Sequence, residues 1–226
     1  MFEFHSMILN KSNKRAAYMN NKVPKYMAKV YDVFLCFIIY SFCGWLMETV
    51  YMSVYHWHFI KRGFLISPLC GIYGVGTILV VLLLDKLKSR PILIFFGAIF
   101  ITTVLELITG LLLQNILKRE LWDYSGDTLN FLGIICLRNT LVWGIMSLIA
   151  VYSIHPIVMR KIKVLSLGTK TLISNICFVW ISADLCISIL TSLHGLNNIH
   201  WVSGLVFNRL KDIGSMTVKV VYYIRH

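Results

Sequence analysis

The sequence predicts an all-α protein, a polytopic transmembrane helical bundle of about five spans with its N-terminus in the cytoplasm. Three observations carry that expectation. Of the 226 residues, 58% are hydrophobic and only 14% charged, and the mean hydropathy of +0.73 exceeds that of ordinary soluble domains. Uncharged runs reach the roughly 20 residues that a helix needs to cross a bilayer. The net charge of +12 is distributed as topology demands rather than as a nucleic-acid surface. Lys11, Lys14, Arg15, Lys22, Lys25 and Lys29 precede the first span, Lys86, Lys88 and Arg90 follow the second, and Arg160, Lys161, Lys163 and Lys170 follow the fourth. The opposite connections carry only Lys61, Arg62, Lys118 and Arg119, so the positive-inside rule places the N-terminus in the cytoplasm. No nucleic-acid partner is expected.

Residues 1–30 form a basic cytoplasmic tail that lacks a compact apolar core ahead of a small-residue cleavage site, so no cleavable signal is expected. Its basic residues would be drawn to anionic lipid, at about 1 kcal/mol each near the surface. The first span, near 31–55, runs through Val33–Met47 and resumes at Thr49 after Glu48. The second, near 67–84, starts at Pro68 with Gly71, Gly74 and Gly76, a pattern for close helix packing or for a ligand-binding break. The third, near 91–117, is apolar except for Glu106, which shares a face with Thr102, Thr103, Thr109 and Gly110. The fourth, near 132–157, has Arg138 close to its start and is expected to end at His155-Pro156. The fifth, near 170–193, carries Asp184 in its middle. The bundle thus covers 31–194, and 195–226 reads as an amphipathic interfacial or disordered segment. The six cysteines lie scattered in apolar spans without metal-ligand spacing, so they read as small packing residues, and no metal or cofactor is expected.

Function should be sought at the ionisable residues inside these spans. A charge in hydrocarbon costs roughly 2.5–3.5 kcal/mol on insertion scales, so such residues face the bundle interior, pair, or line a polar path. With the N-terminus inside, Glu48, Glu106 and Arg138 all fall toward the outer half of the bilayer, beside the connection Lys61-Arg62-Gly63-Phe64 and the loop Trp122-Asp123-Tyr124-Ser125. Two readings stay open. The glutamates form buried pairs with Lys61, Arg62 or Arg138 that fix helix register, or they serve a substrate, ion or catalytic role. The loop Lys118–Asn130 is either an aromatic belt at the headgroups or a cover over the bundle's mouth.

These residues carry a resemblance. Gly44-Trp45-Leu46-Met47-Glu48-Thr49-Val50-Tyr51, Arg62-Gly63-Phe64 with Pro68 and Tyr73-Gly74, Glu106 and Gly110, Trp122-Asp123-Tyr124-Ser125, Asn130, Gly133, Cys136-Leu137 and His155-Pro156 occur in order over 40–160. The chain resembles the bacterial ABC-transporter permease family of the CmpB-like, type IV group. It departs where that family's pattern has a basic residue after the glycine at the start of the fourth span. Here Ile134 stands there, with Arg138 four positions on. The resemblance implies a multi-pass permease of the cell membrane, and together with the charges and loops above it makes Glu48, Arg62, Glu106, Trp122, Asp123, Tyr124, Asn130 and Arg138 the substrate-binding candidates.

The chain has no phosphate-cradling glycine loop, since Gly168-Thr169-Lys170-Thr171 lacks the preceding glycine. ATP hydrolysis would therefore need a separate ATPase subunit, and so few spans suggest a homo-oligomer as well. Alternatives of other classes are a membrane-embedded enzyme acting on a lipid or lipid-linked substrate, for which no catalytic set is recognisable, and a non-catalytic membrane scaffold.

Overall fold

The computed structural model describes residues 25–193, so the expectations for residues 1–24 and for 195–226 lie outside the described residues. The chain is an all-α bundle. Helix α1 is Lys25–His56, α2 is Gly71–Leu84, α3 is Pro91–Ile116, α4 is Leu137–Ile149, α5 is His155–Val164 and α6 is Leu167–Leu193. A π-helical segment, Ala150–Ile154, joins α4 to α5 without a break. Among the described residues, four stretches are long and apolar enough to cross a membrane: Tyr26–His56, Pro91–Ile116, Leu137–Val164 and Leu167–Ser192. Their outward faces are apolar, with Phe96 and Phe100 on α3 and Val179 on α6 mostly exposed. That is the surface expected of helices whose solvent is lipid.

At α2 and at Pro156 the boundaries differ from the sequence expectation. Helix α2 has only 14 residues, about 21 Å, and begins at Gly71 rather than near 67. The residues before it find partners outside any helix: the Cys70 amide donates to the Ser41 carbonyl of α1 at 3.0 Å, and Leu69 closes a turn on Ser67 at 2.8 Å. An irregular segment, 57–70, therefore enters the bundle ahead of α2, and Ile60, Leu65, Ser67 and Leu69 are buried in it. The other difference is at His155-Pro156, which does not end the fourth helix. Pro156 lacks the N–H that would continue the α ladder, and the chain responds by widening, the His155 amide reaching back to the Ala150 carbonyl. The helix then continues to Val164.

The fourth helix also starts later than expected, at Leu137, because 130–136 forms a hairpin. Strand β1, Asn130–Phe131, pairs antiparallel with β2, Ile135–Cys136. Leu132 and Gly133 turn between them with φ of 56° and 66°, the left-handed region that glycine enters freely. Small residues let the helices approach. A Cβ at Gly74 would overlap Ser41 and Phe37 of α1, one at Gly144 would overlap Phe95 and Ile99 of α3, and one at Gly110 would overlap Ile134 in the hairpin. Apolar contacts fill the remainder, Val80, Val81 and Leu84 of α2 meeting Ile94 and Ala98 of α3 and Val151.

A buried ion pair ties the first helix to the last: Lys170 Nζ lies 2.7 Å from Asp32 Oδ1. At the same end of the bundle, Tyr40 and His155 share a hydrogen bond of 2.6 Å. Glu48, in the C-terminal part of α1, lies at the opposite end.

Candidate functional site

The site is built by what segment 57–70 does with its backbone. Unpaired amides at membrane depth are tolerated only against protein or a polar cavity. Here the Ile66 and Ser67 amides donate to the two carboxylate oxygens of Asp184 on α6, both at 2.8 Å. Asp184 is 5% exposed and also accepts from the Ser188 hydroxyl at 3.3 Å. Its role is thus to clamp an irregular segment rather than to line a path.

The clamp holds Lys61 and Arg62 in place. Arg62 closes on Glu48 with its Nε and a terminal nitrogen each 2.8 Å from Oε1, and donates to the Leu121 carbonyl at 3.1 Å. One guanidinium therefore links α1, segment 57–70 and the loop after α3. Lys61 donates to the Leu65 carbonyl at 2.6 Å and makes no ion pair among the described residues. Burial lowers its pKa from the ordinary 10.5, the charge of Asp184 working in the opposite direction.

Glu106 sits differently. It is 3% exposed and forms no ion pair among the described residues. Its Oε1 accepts from the Asn139 side-chain amide at 2.7 Å and from the Tyr124 hydroxyl at 3.4 Å, the Trp143 indole also lies against the carboxyl group, and the buried Oε2 has no hydrogen-bond partner of normal geometry among the described residues. Burial raises the Tyr124 pKa, so this phenol keeps its proton and serves as a donor. A buried acceptor left unpaired costs roughly 1–3 kcal/mol, which makes Oε2 a place for a ligand's donor.

The loop between α3 and the hairpin is strapped down by its aromatic residues. The Trp122 indole N–H donates to the Ile134 carbonyl at 2.9 Å, and the Tyr124 amide to the Gly133 carbonyl at 2.8 Å. Of the eight residues expected at the site, Glu48, Arg62, Glu106, Trp122 and Tyr124 line one open cavity of about 300 Å³. The other three shape the loop. Asp123 Oδ1 accepts from the Ser125 amide and hydroxyl, and Asn130 caps the Ser125 and Asp127 carbonyls at 3.2 and 3.0 Å. Arg138 pairs with Asp127 at 2.9 Å with its side chain 69% exposed, so it is not the counter-charge of either glutamate. Arg138 stands on the first turn of α4 and reaches outward to the loop, where water screens it.

Residues outside the eight expected ones complete the walls. Asn139 supplies the hydrogen bond to Glu106, and Tyr73 stacks on Trp143 with ring centroids 4.8 Å apart. A signal existed for this pair of α4 residues: Asn139 and Trp143 lie four apart, hence on one helix face. Arg119 also lines the cavity and, like Lys61, makes no ion pair among the described residues. The cavity thus holds the Glu48–Arg62 ion pair, Glu106 with one oxygen free of a hydrogen bond, and Lys61, Arg119 and Glu120, which make no ion pair among the described residues, beside aromatic side chains.

Residues 35–189 match the sequence profile of a family described as "Putative ABC-transporter type IV". The match runs from α1 through most of α6 and includes Asp184, extending past the 40–160 over which the motifs were legible. No curated protein and no solved structure matches the chain.

Proposed function

The chain belongs to this ABC-transporter type IV family, and from that premise we propose that it is a permease-like component of a transporter, with the cavity as a polar stretch of the substrate path. The observation that carries this reading is convergence. Glu48 from α1, Arg62 from the buried segment, Glu106 from α3, Trp122 and Tyr124 from the following loop and Asn139 from α4 meet around one space. Charges placed there only to fix helix register would all be paired, as Glu48 is, whereas Glu106 keeps one oxygen bare. Ion pairing explains Glu48 and leaves Glu106 to the substrate.

In this reading the chain lies in the plasma membrane, its N-terminal side cytoplasmic and the cavity toward the outer leaflet. Energy comes from a separate ATPase subunit. The six-residue connection 85–90 is too short to seat one, which leaves the corner formed by α5 and the start of α6, where Arg160, Lys161 and Lys163 are exposed. A second copy of the chain would supply the remaining spans of a full transporter.

The test is purification of the tagged full-length chain from its own membranes, followed by reconstitution. Expected is a stoichiometric ATPase carrying a phosphate-binding loop, whose ATP hydrolysis increases with the chain present and returns to its basal rate in Glu106→Gln. Isolation of the chain without such a subunit under cross-linking would refute the transport reading.

A further inference from the structure

A second cavity of about 190 Å³ lies beside the first. It is bordered by Cys43 and Met47 of α1, Gly76 and Thr77 of α2, and Met146 and Ala150 of the fourth helix, with Ser147 and Thr77 among its few polar side chains. Tyr73 and Trp143, stacked on each other, line both cavities and form their common wall. On the fourth helix the second cavity extends from Trp143 to Ile154, roughly 16 Å at 1.5 Å per residue. Cys43 is exposed on the bundle surface, so the cavity can be entered sideways.

The two chambers have complementary chemistry. One holds a bare carboxylate oxygen deep among Tyr73, Trp143, Trp122 and Tyr124, the setting in which an ammonium is held by charge and by ring faces together. The other chamber is apolar, elongated and open to the hydrocarbon side. A free polar solute would use the first and leave the second empty. An alkyl chain would use the second and leave Glu106 unsatisfied.

We propose that the two cavities form one binding site for a single-chain amphiphile with an ammonium head, its ammonium at Glu106 and its alkyl chain along Met146–Ile154. This deepens the transport reading, since it names the substrate class of the same polar cavity. It requires no ATPase to be tested.

The probe is a long-chain alkylammonium with a photoreactive diazirine at the tail end, added to the full-length chain in nanodiscs. Expected is labelling concentrated at 146–154 and at 43–47, competed by the unlabelled amphiphile at least tenfold better than by ethylammonium or tetradecanol alone. Glu106→Gln should lower that labelling at least tenfold. Cys43→Trp, which fills the apolar chamber from an exposed position, should move the label out of 146–154 without changing the melting temperature. Labelling that spreads equally over the outward-facing Phe96 and Phe100, or that is unchanged in both variants, would overturn the proposal. Recovery of the probe with its headgroup cleaved would leave the binding site standing and refute transport in favour of an enzyme, so the two readings fail separately.

Discussion

Replacing Asp184 with alanine should release segment 57–70 from the bundle. Two backbone amides, Ile66 and Ser67, donate to this carboxylate at 2.8 Å, and no other acceptor among the described residues takes either of them. A hydrogen bond to a charged group contributes roughly 1.5–3 kcal/mol, and the alanine leaves both donors behind in a buried setting. The loss is thus about 3–6 kcal/mol, confined to the segment because α6 retains its other contacts. Local opening at the lower figure corresponds to roughly a 100-fold rise in amide exchange. Hydrogen exchange of the chain in nanodiscs reads this directly: peptides covering 60–70 should lose protection while those covering α3 keep theirs. Ser188→Ala, which removes only the 3.3 Å contact, should have an effect of about 1 kcal/mol or less. Unchanged protection of residues 60–70 in Asp184→Ala would refute the clamp and the placing of Arg62 that follows from it.

Two further outcomes are expected. Gly110→Ala puts a methyl group into the Ile134 side chain and should push the hairpin off α3, at about 1–3 kcal/mol of stability, seen as a lower melting temperature and as exchange within 130–136; an unaltered hairpin would contradict the close approach. Lys61 titrates in the folded chain below its ordinary 10.5, so between that lowered value and 10.5 the unfolded chain binds more protons and stability rises with pH. Lys61→Met removes this slope, and unfolding midpoints of the two proteins compared from about pH 8 to pH 10.5 should diverge in the wild type's favour as pH rises; a flat difference would count against burial of the ammonium.

How far the sequence carried depended on how local each signal is. The third helix was legible almost to the residue, Pro91–Ile116 against 91–117, because a proline at its first position and Lys118 beyond its end are local marks. The start of α2 was not, because the amides of Ile66 and Ser67 are satisfied by a residue more than a hundred positions away, which no window along the chain contains. Glu48 and Arg62, each flagged by charge, do meet. The partner of Glu106 was sought among cations and is the neutral Asn139, one position beyond Arg138. A single residue turns a helix by 100°, enough to send the arginine to the exposed loop and the amide into the cavity.

The clamp on segment 57–70 also imposes an order on how the molecule can be made. Its amides belong to the connection after the first helix, yet the carboxylate that receives them is in the last, 118 residues later for Ile66. At ordinary elongation rates of about 5–20 residues per second, that interval is many seconds during which the first helices are already in the membrane. The segment must wait at the surface, or be held by something else, until α6 arrives. A chain arrested before Asp184 would therefore insert its early helices and still lack Lys61 and Arg62 at the cavity, whose walls are complete only once α6 is in place.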